Sequence, residues 1–136
     1  MIQKRFTLKS IEKLKSSKII RQIFEEGKSF SHFPFRIIYI SLEKNQSHLQ
    51  AAFAVSTKNF KKAVDRNRIK RLMRETYRLQ KGTLQSLLEI NEKYLAAFII
   101  YTGKELPVYD MVLTKMGSLL EQLNRIVEYG PTNKQE

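Results

Sequence analysis

The sequence predicts an α+β fold: a two-layer sandwich with helices packed on one face of a mixed four-stranded sheet, in the order α-β-β-β-α-β-α. Apolar runs at residues 35–42 and 94–101 are rich in β-branched and aromatic side chains, which is typical of strands. Around them, apolar residues recur at helical spacing. A length of 136 residues suits a single domain over 1–136, ordered from about 5 to 128, with a polar tail at 129–136.

The first helix is predicted to follow Ser16 or Ser17, since either side chain can cap it. It should continue through Glu26, with Gly27 as its C-terminal stop. A short strand at 28–32 follows.

Three further strands are predicted along the chain. A polar turn at 43–47 joins the strand at 35–42 to one at about 49–56, and this spacing predicts a hairpin. The segment 94–101 is continuously apolar, which indicates a strand buried on both faces.

Three helical segments complete the pattern. Residues 58–81 form a long basic helix, residues 83–90 add one or two turns, and Pro107 opens a last helix that ends at Gly130. The apolar stripe of the basic helix comprises Ile69, Leu72, Met73, Thr76 and Tyr77. That of the last helix comprises Val112, Met116, Leu119, Leu120, Leu123 and Val127.

The basic helix carries the main functional signal. Ten residues of 58–81 are basic and two are acidic, in a chain with a formal net charge of +12. Like charges stacked along a helix destabilise it, so the pattern indicates a polyanion that neutralises them. Arginine can grip phosphate oxygens in pairs, and the amide of Asn67 suits a base edge or a 2′-hydroxyl. The far side of the helix carries Asn67, Lys70, Arg71, Arg74 and Arg78, with Lys81 continuing the line if the helix reaches it, and Arg66 and Arg68 lie on its shoulders.

Several other classes of protein are disfavoured. No apolar run approaches the roughly 18 residues needed to span a bilayer, and the N-terminus lacks the apolar core of a signal peptide. The absence of cysteine excludes disulfides and fits a reducing cytoplasm, so we expect a cytoplasmic protein.

A catalytic site is also not evident. His32 and His48 have no metal-ligand spacing and are interpreted as surface residues. The carboxylates are scattered, so no set is expected to hold catalytic Mg²⁺, and there is no glycine-rich phosphate loop. We therefore expect neither a catalytic residue nor a metal site on this chain.

One motif gives the hypothesis a specific form. Residues 63–71 read A-V-x-R-N-R-x-K-R and follow a strand ending Phe-Ala-Val-Ser at 53–56. This combination resembles the bacterial ribonuclease P protein subunit, and the likeness extends from about residue 5 to 127. The resemblance implies a left-handed crossover from strand through basic helix to strand, whereas the pattern alone would favour the usual right-handed one.

The resemblance also implies a function. In that family the protein binds the catalytic RNA and the 5′ leader of precursor tRNA, and assists endonucleolytic removal of the leader. The RNA subunit carries the chemistry with Mg²⁺, and the implied partners are ribonuclease P RNA and precursor tRNA, with no membrane and no obligate protein partner. By this resemblance the RNA-binding residues are Lys61, Lys62, Arg66, Asn67, Arg68, Lys70, Arg71, Arg74 and Arg78. The leader groove, between the first helix and the sheet, would use Phe24, Phe35, Tyr39, Ser56 and Lys58.

Two other classes of function stay open. A ribosomal or other structured-RNA-binding protein would share the charge and the lack of catalytic groups, without stimulating precursor cleavage. A DNA-binding or anionic-membrane module fits less well, because the basic helix lies among strands and lacks an apolar insertion face.

Overall fold

The computed structural model describes residues 12–130. The helices are α1 (Ser17–Glu26), α2 (Ala63–Gln80), α3 (Gly82–Ile90) and α4 (Tyr109–Tyr129). The strands are β1 (Lys28–His32), β2 (Phe35–Leu42), β3 (Leu49–Val55) and β4 (Tyr94–Tyr101). The predicted order at 5–11 and tail at 131–136 lie outside the described residues, and α4 continues one residue beyond the predicted limit of 128.

The ends of α1 follow from local chemistry. The Ser16 hydroxyl accepts a hydrogen bond from the Ile19 N–H at 3.2 Å, so Ser16 is the cap. At the other end the Gly27 N–H donates to the Ile23 carbonyl at 2.8 Å. A side chain at Gly27 would collide with that carbonyl, which explains why glycine ends the helix.

The four strands form one sheet in the order β1-β2-β4-β3. Strand β4 is antiparallel to β2 and parallel to β3. The predicted hairpin between β2 and β3 is therefore wrong, because β4 lies between them. The reason is burial: β4 is apolar on both faces and takes the position where both of its edges are paired. The hand of the crossover from β3 through α2 and α3 to β4 stays a prediction.

The sheet buries apolar residues on both faces. Odd-numbered residues of β2, from Phe35 to Tyr39, face the main core with α2, α3 and α4. Ile38 faces the other side, where Ile23 of α1 and Leu14 complete a smaller cluster. The α+β class and mixed four-stranded sheet are confirmed, but placing every helix on one face is wrong for α1. Its isoleucine stripe needs an apolar surface, and the even-numbered residues of β2 supply one.

Candidate nucleic-acid interface

Helix α2 is fixed by its apolar stripe. Ile69, Met73 and Tyr77 are buried, as predicted, and the helix packs on α4 and β3. The Tyr77 ring meets Phe53 of β3 edge-on, with centroids 5.2 Å apart. Because the apolar face of α2 is buried in the core, its basic face points toward solvent in a fixed orientation.

The exposed face of α2 forms a continuous cationic surface, here called the α2 ridge: Asn67, Arg68, Arg71, Arg74 and Arg78. Two shallow depressions follow one another along it and share Arg71 as a lining residue. Within residues 12–130, Arg68, Arg71 and Arg74 have no hydrogen-bond or ion-pair partner, whereas Arg78 pairs with Glu75 at 2.7 Å. Unpaired guanidinium groups on a rigid helix are suited to binding phosphates. The predicted Lys70 lies beside the ridge and is half-buried.

The Arg66 side chain is engaged in hydrogen bonds within the protein. Its Nη1 donates to the carbonyls of Phe60 and Lys61, at 2.9 and 2.8 Å. The half-buried side chain thus closes the loop that precedes α2. A contact between Arg66 and RNA stays a prediction, and an alanine here would disturb the loop as well as remove a charge.

The loop at residues 56–62 extends the cationic surface beyond the start of α2. Lys58, Lys61 and Lys62 are exposed there, as their predicted role requires. The Asn59 amide donates to the Gly103 carbonyl at 3.3 Å, and this contact ties the loop to the end of β4. Ser56 is half-buried at the junction with β3.

Two lysines near the C-terminal half of α2 occupy positions that the sequence analysis did not predict. Lys81 was expected to continue the ridge only if the helix reached it, and it does not: Lys81 is buried, and its Nζ lies 3.3 Å from Glu12 Oε2. The helix ends at Gln80, so Lys81 turns inward. Lys13 was not predicted as a site residue, but in the structure it lines a depression with Arg71, Arg74 and Arg78. No local pattern marks Lys13, because its position depends on pairing with the distant strand β3.

The predicted leader groove is not assembled as expected. Phe24 is 53% exposed on the α1 side of the sheet. Phe35 and Tyr39 are buried in the main core on the opposite side, where burial raises the pKa of Tyr39. The three aromatic residues therefore cannot line one groove. Strand alternation is the cause, since odd positions of β2 point away from α1.

The α1 face nevertheless offers an aromatic surface. The Phe24 ring meets the half-buried Phe98 of β4 edge-on, with centroids 5.0 Å apart. Ile100 lies half-buried on the same face, and Arg36, its register partner on β2, is exposed. Phe98 and Arg36 were not predicted as site residues, and only the alternation of β2 and β4 relative to α1 could have identified them.

Residues 12–130 contain no group of three or more His, Cys, Asp or Glu side chains that could hold a metal ion. His48 stacks on Tyr94 with centroids 4.3 Å apart, and its Nδ1 lies 2.8 Å from the Lys93 carbonyl, a structural role. In the same part of the chain, no helix is long and apolar enough to cross a membrane.

Fold and charge together define a small basic α+β protein with one rigid cationic helix surface. A family model described as Ribonuclease P matches residues 8–124. The ribonuclease P protein component of Porphyromonas gingivalis is 35% identical over 108 residues, which cover 79% of either chain. That of Chlorobium phaeobacteroides is 33% identical over 128 residues, covering 86% of this chain and 88% of the relative.

Solved structures agree with this match. The ribonuclease P protein from Thermotoga maritima superposes with a TM-score of 0.64 at 27% identity, covering 82% of this chain and 96% of the other. The Staphylococcus aureus protein has the same fold, with a TM-score of 0.59 at 22% identity, covering 88% and 98%. The chain belongs to the Ribonuclease P protein family.

Proposed function

We propose that this chain is the protein subunit of ribonuclease P and that it binds the catalytic RNA through the α2 ridge. The observation that carries the proposal is the division of α2 into two faces. Ile69, Met73 and Tyr77 lock the helix in place, while Arg71 and Arg74 stay exposed and unpaired. A surface of this kind neutralises RNA phosphates and releases their counterions, so its affinity falls as salt rises.

The α1 face is the better candidate for the 5′ leader of precursor tRNA. A single strand is held by stacking of bases on aromatic rings and by cations along its backbone, largely independent of sequence. Phe24 and Phe98 supply the rings and Arg36 supplies a cation on the same face, while Lys58 supplies a further cation in the loop that follows β3. This arrangement replaces the groove that included Phe35 and Tyr39.

The chemistry is assigned to the RNA subunit. The Mg²⁺ that this chemistry uses would act at the RNA active site of the holoenzyme. The protein would screen the repulsion between catalytic RNA and substrate and would position the leader. Its part in the endoribonuclease would thus be binding, and the RNA would hydrolyse the phosphodiester bond.

Cleavage of a precursor tRNA by ribonuclease P RNA at low Mg²⁺, with and without this protein, tests the proposal. We expect strong stimulation for a substrate with a 5′ leader and weaker stimulation when the leader is trimmed to one nucleotide. Equal stimulation of both substrates would overturn the leader assignment. Tight RNA binding without any stimulation would instead indicate a ribosomal or other structured-RNA-binding protein.

A further inference from the structure

The N-terminal segment of the described chain is attached to the open edge of β3 at Lys13, directly after a short 3₁₀ turn that includes Glu12. Lys13 makes a parallel bridge with Ala51, and the Leu14 N–H donates to the Ala51 carbonyl at 3.0 Å. The backbone of this segment is thereby fixed to the sheet at a point far from it in sequence.

The side chains on either side of Lys13 are both buried. Glu12 is 6% exposed and Leu14 is 5% exposed, and Leu14 packs in the cluster with Ile23. Between these two buried residues, the Lys13 side chain is exposed to solvent.

Glu12 is held by a buried polar cluster at the junction of α2 and α3. Its Oε2 accepts from Lys81 Nζ at 3.3 Å and from Gln85 Nε2 at 3.2 Å. Lys81 Nζ also donates to Gln85 Oε1 at 2.8 Å, which closes the cluster. A buried ion pair contributes little net stability, but its directional bonds can select one geometry.

That geometry places Lys13 against the α2 ridge. Lys13 lines the same depression as Arg71, Arg74 and Arg78, with Glu75 as the one acid among its lining residues. Glu75 is already engaged by Arg78 at 2.7 Å. The depression therefore presents cations from two separate parts of the chain to one point on its surface.

We propose that Lys13 contacts an RNA phosphate as part of the α2 ridge, and that the buried Glu12–Lys81–Gln85 cluster is the device that positions it. The ligand is a backbone phosphate of a structured RNA, recognised by charge rather than by sequence. This proposal rests on the proposed function of the ridge and extends it to the N-terminal segment.

The contact is tested by measuring the affinity for ribonuclease P RNA over a series of KCl concentrations. Lys13→Ala should lower the slope of log affinity against log salt by about one, as expected for one lost phosphate contact. Lys28→Ala is the matched control: Lys28 is an exposed lysine on β1, at the opposite edge of the sheet, and its replacement should leave the slope unchanged. An unchanged slope for Lys13→Ala would overturn the contact.

The same series separates this proposal from the function of the ridge. Arg71→Ala/Arg74→Ala should lower the slope by about two. If that variant lowers the slope and Lys13→Ala does not, the ridge binds RNA and the inference about Lys13 is wrong. If neither variant changes the slope, the proposed function of the ridge itself fails, and this inference fails with it.

Positioning is tested with Glu12→Met/Lys81→Met, which removes both members of the ion pair without changing the net charge. We expect the slope to fall as much as in Lys13→Ala, and Lys13→Ala in this background to cause no further fall. A native circular dichroism spectrum confirms the fold of each variant. A wild-type slope, or independent effects that add, would overturn the positioning role.

Discussion

The α2 ridge and the α1 face are two surfaces of one small protein with opposite construction. The ridge takes its side chains from one helix, is cationic, and has unpaired Arg68, Arg71 and Arg74 within the described chain. The α1 face combines Phe24 of a helix with Phe98 and Arg36 of two strands, and it is mainly apolar. Charge on a rigid helix suits a large polyanion, whereas an aromatic face suits a flexible single strand. Under the proposed function, the two surfaces would let one domain bind two forms of RNA without competition between them.

Replacing Met73 by alanine should have the largest effect, because Met73 is fully buried beneath the ridge. We expect a loss of about 2–5 kcal/mol in the free energy of unfolding, measured by chemical denaturation, with both surfaces affected. Val64→Ala is the control on the same helix: Val64 is 71% exposed, and its replacement should change stability by less than about 0.5 kcal/mol. Equal costs for the two variants would contradict this packing of α2.

The double variant Arg71→Ala/Arg74→Ala should weaken binding to ribonuclease P RNA while leaving leader discrimination intact. Neither side chain has a partner in the described chain, so the unfolding free energy should change by less than about 0.5 kcal/mol. Comparison of cleavage rates for substrates with and without a leader provides the second measurement. A selective loss on the leader-bearing substrate would break the assignment of the two surfaces.

Phe24→Ala should have the opposite effect: it should weaken binding of the leader and leave binding to ribonuclease P RNA intact. We expect loss of about 1–3 kcal/mol in affinity for a precursor with a leader, the contribution of one stacked base, and no change for mature tRNA. Ile90→Ala is a matched control, since Ile90 is an exposed apolar residue of α3 that lies outside both surfaces. An equal effect of Phe24→Ala on both substrates would contradict a leader-binding role for the α1 face.

The smallest expected effect is on the pH dependence of stability, and it is confined to alkaline pH. Burial, and to a lesser degree the Glu12 carboxylate, raises the pKa of Tyr77 above its ordinary value of 10 in the folded protein. The contribution of the raised pKa to the free energy of unfolding is fully present below pH 10. It is lost as the pH rises above 10, by up to about 1.4 kcal/mol per pH unit. Tyr77→Phe should unfold with a shallower alkaline dependence. Parallel curves for the two proteins would contradict this burial of the phenol.

The two surfaces also differ in how far the sequence predicts them. The face of α2 that carries Arg71 and Arg74 follows from helical periodicity, which is a local property, and the structure places these residues on its exposed side. Ser16, Gly27 and the strand bounds were predictable for the same reason.

The α1 face was not predictable in this way, because it depends on which strand lies beside which. Strand alternation places Phe35 and Tyr39 on the same side of β2, yet the sequence pattern could not show that both point away from Phe24. Lys13 and the inward turn of Lys81 depend on contacts with residues distant in sequence, and no local signal records them.

The position of β4 in the sheet has a consequence for synthesis of the chain. Strands β2 and β3 both pair with β4, which begins about fifty residues after β2 ends and about forty residues after β3 ends. While the chain is being made, β2 and β3 each keep an unpaired edge until residues 94–101 have been translated. Contacts between distant segments form slowly, and exposed strand edges favour aggregation. The sheet therefore cannot be completed before β4 has been synthesised. A chain that ends before β4 would leave α2 without a complete sheet to pack on.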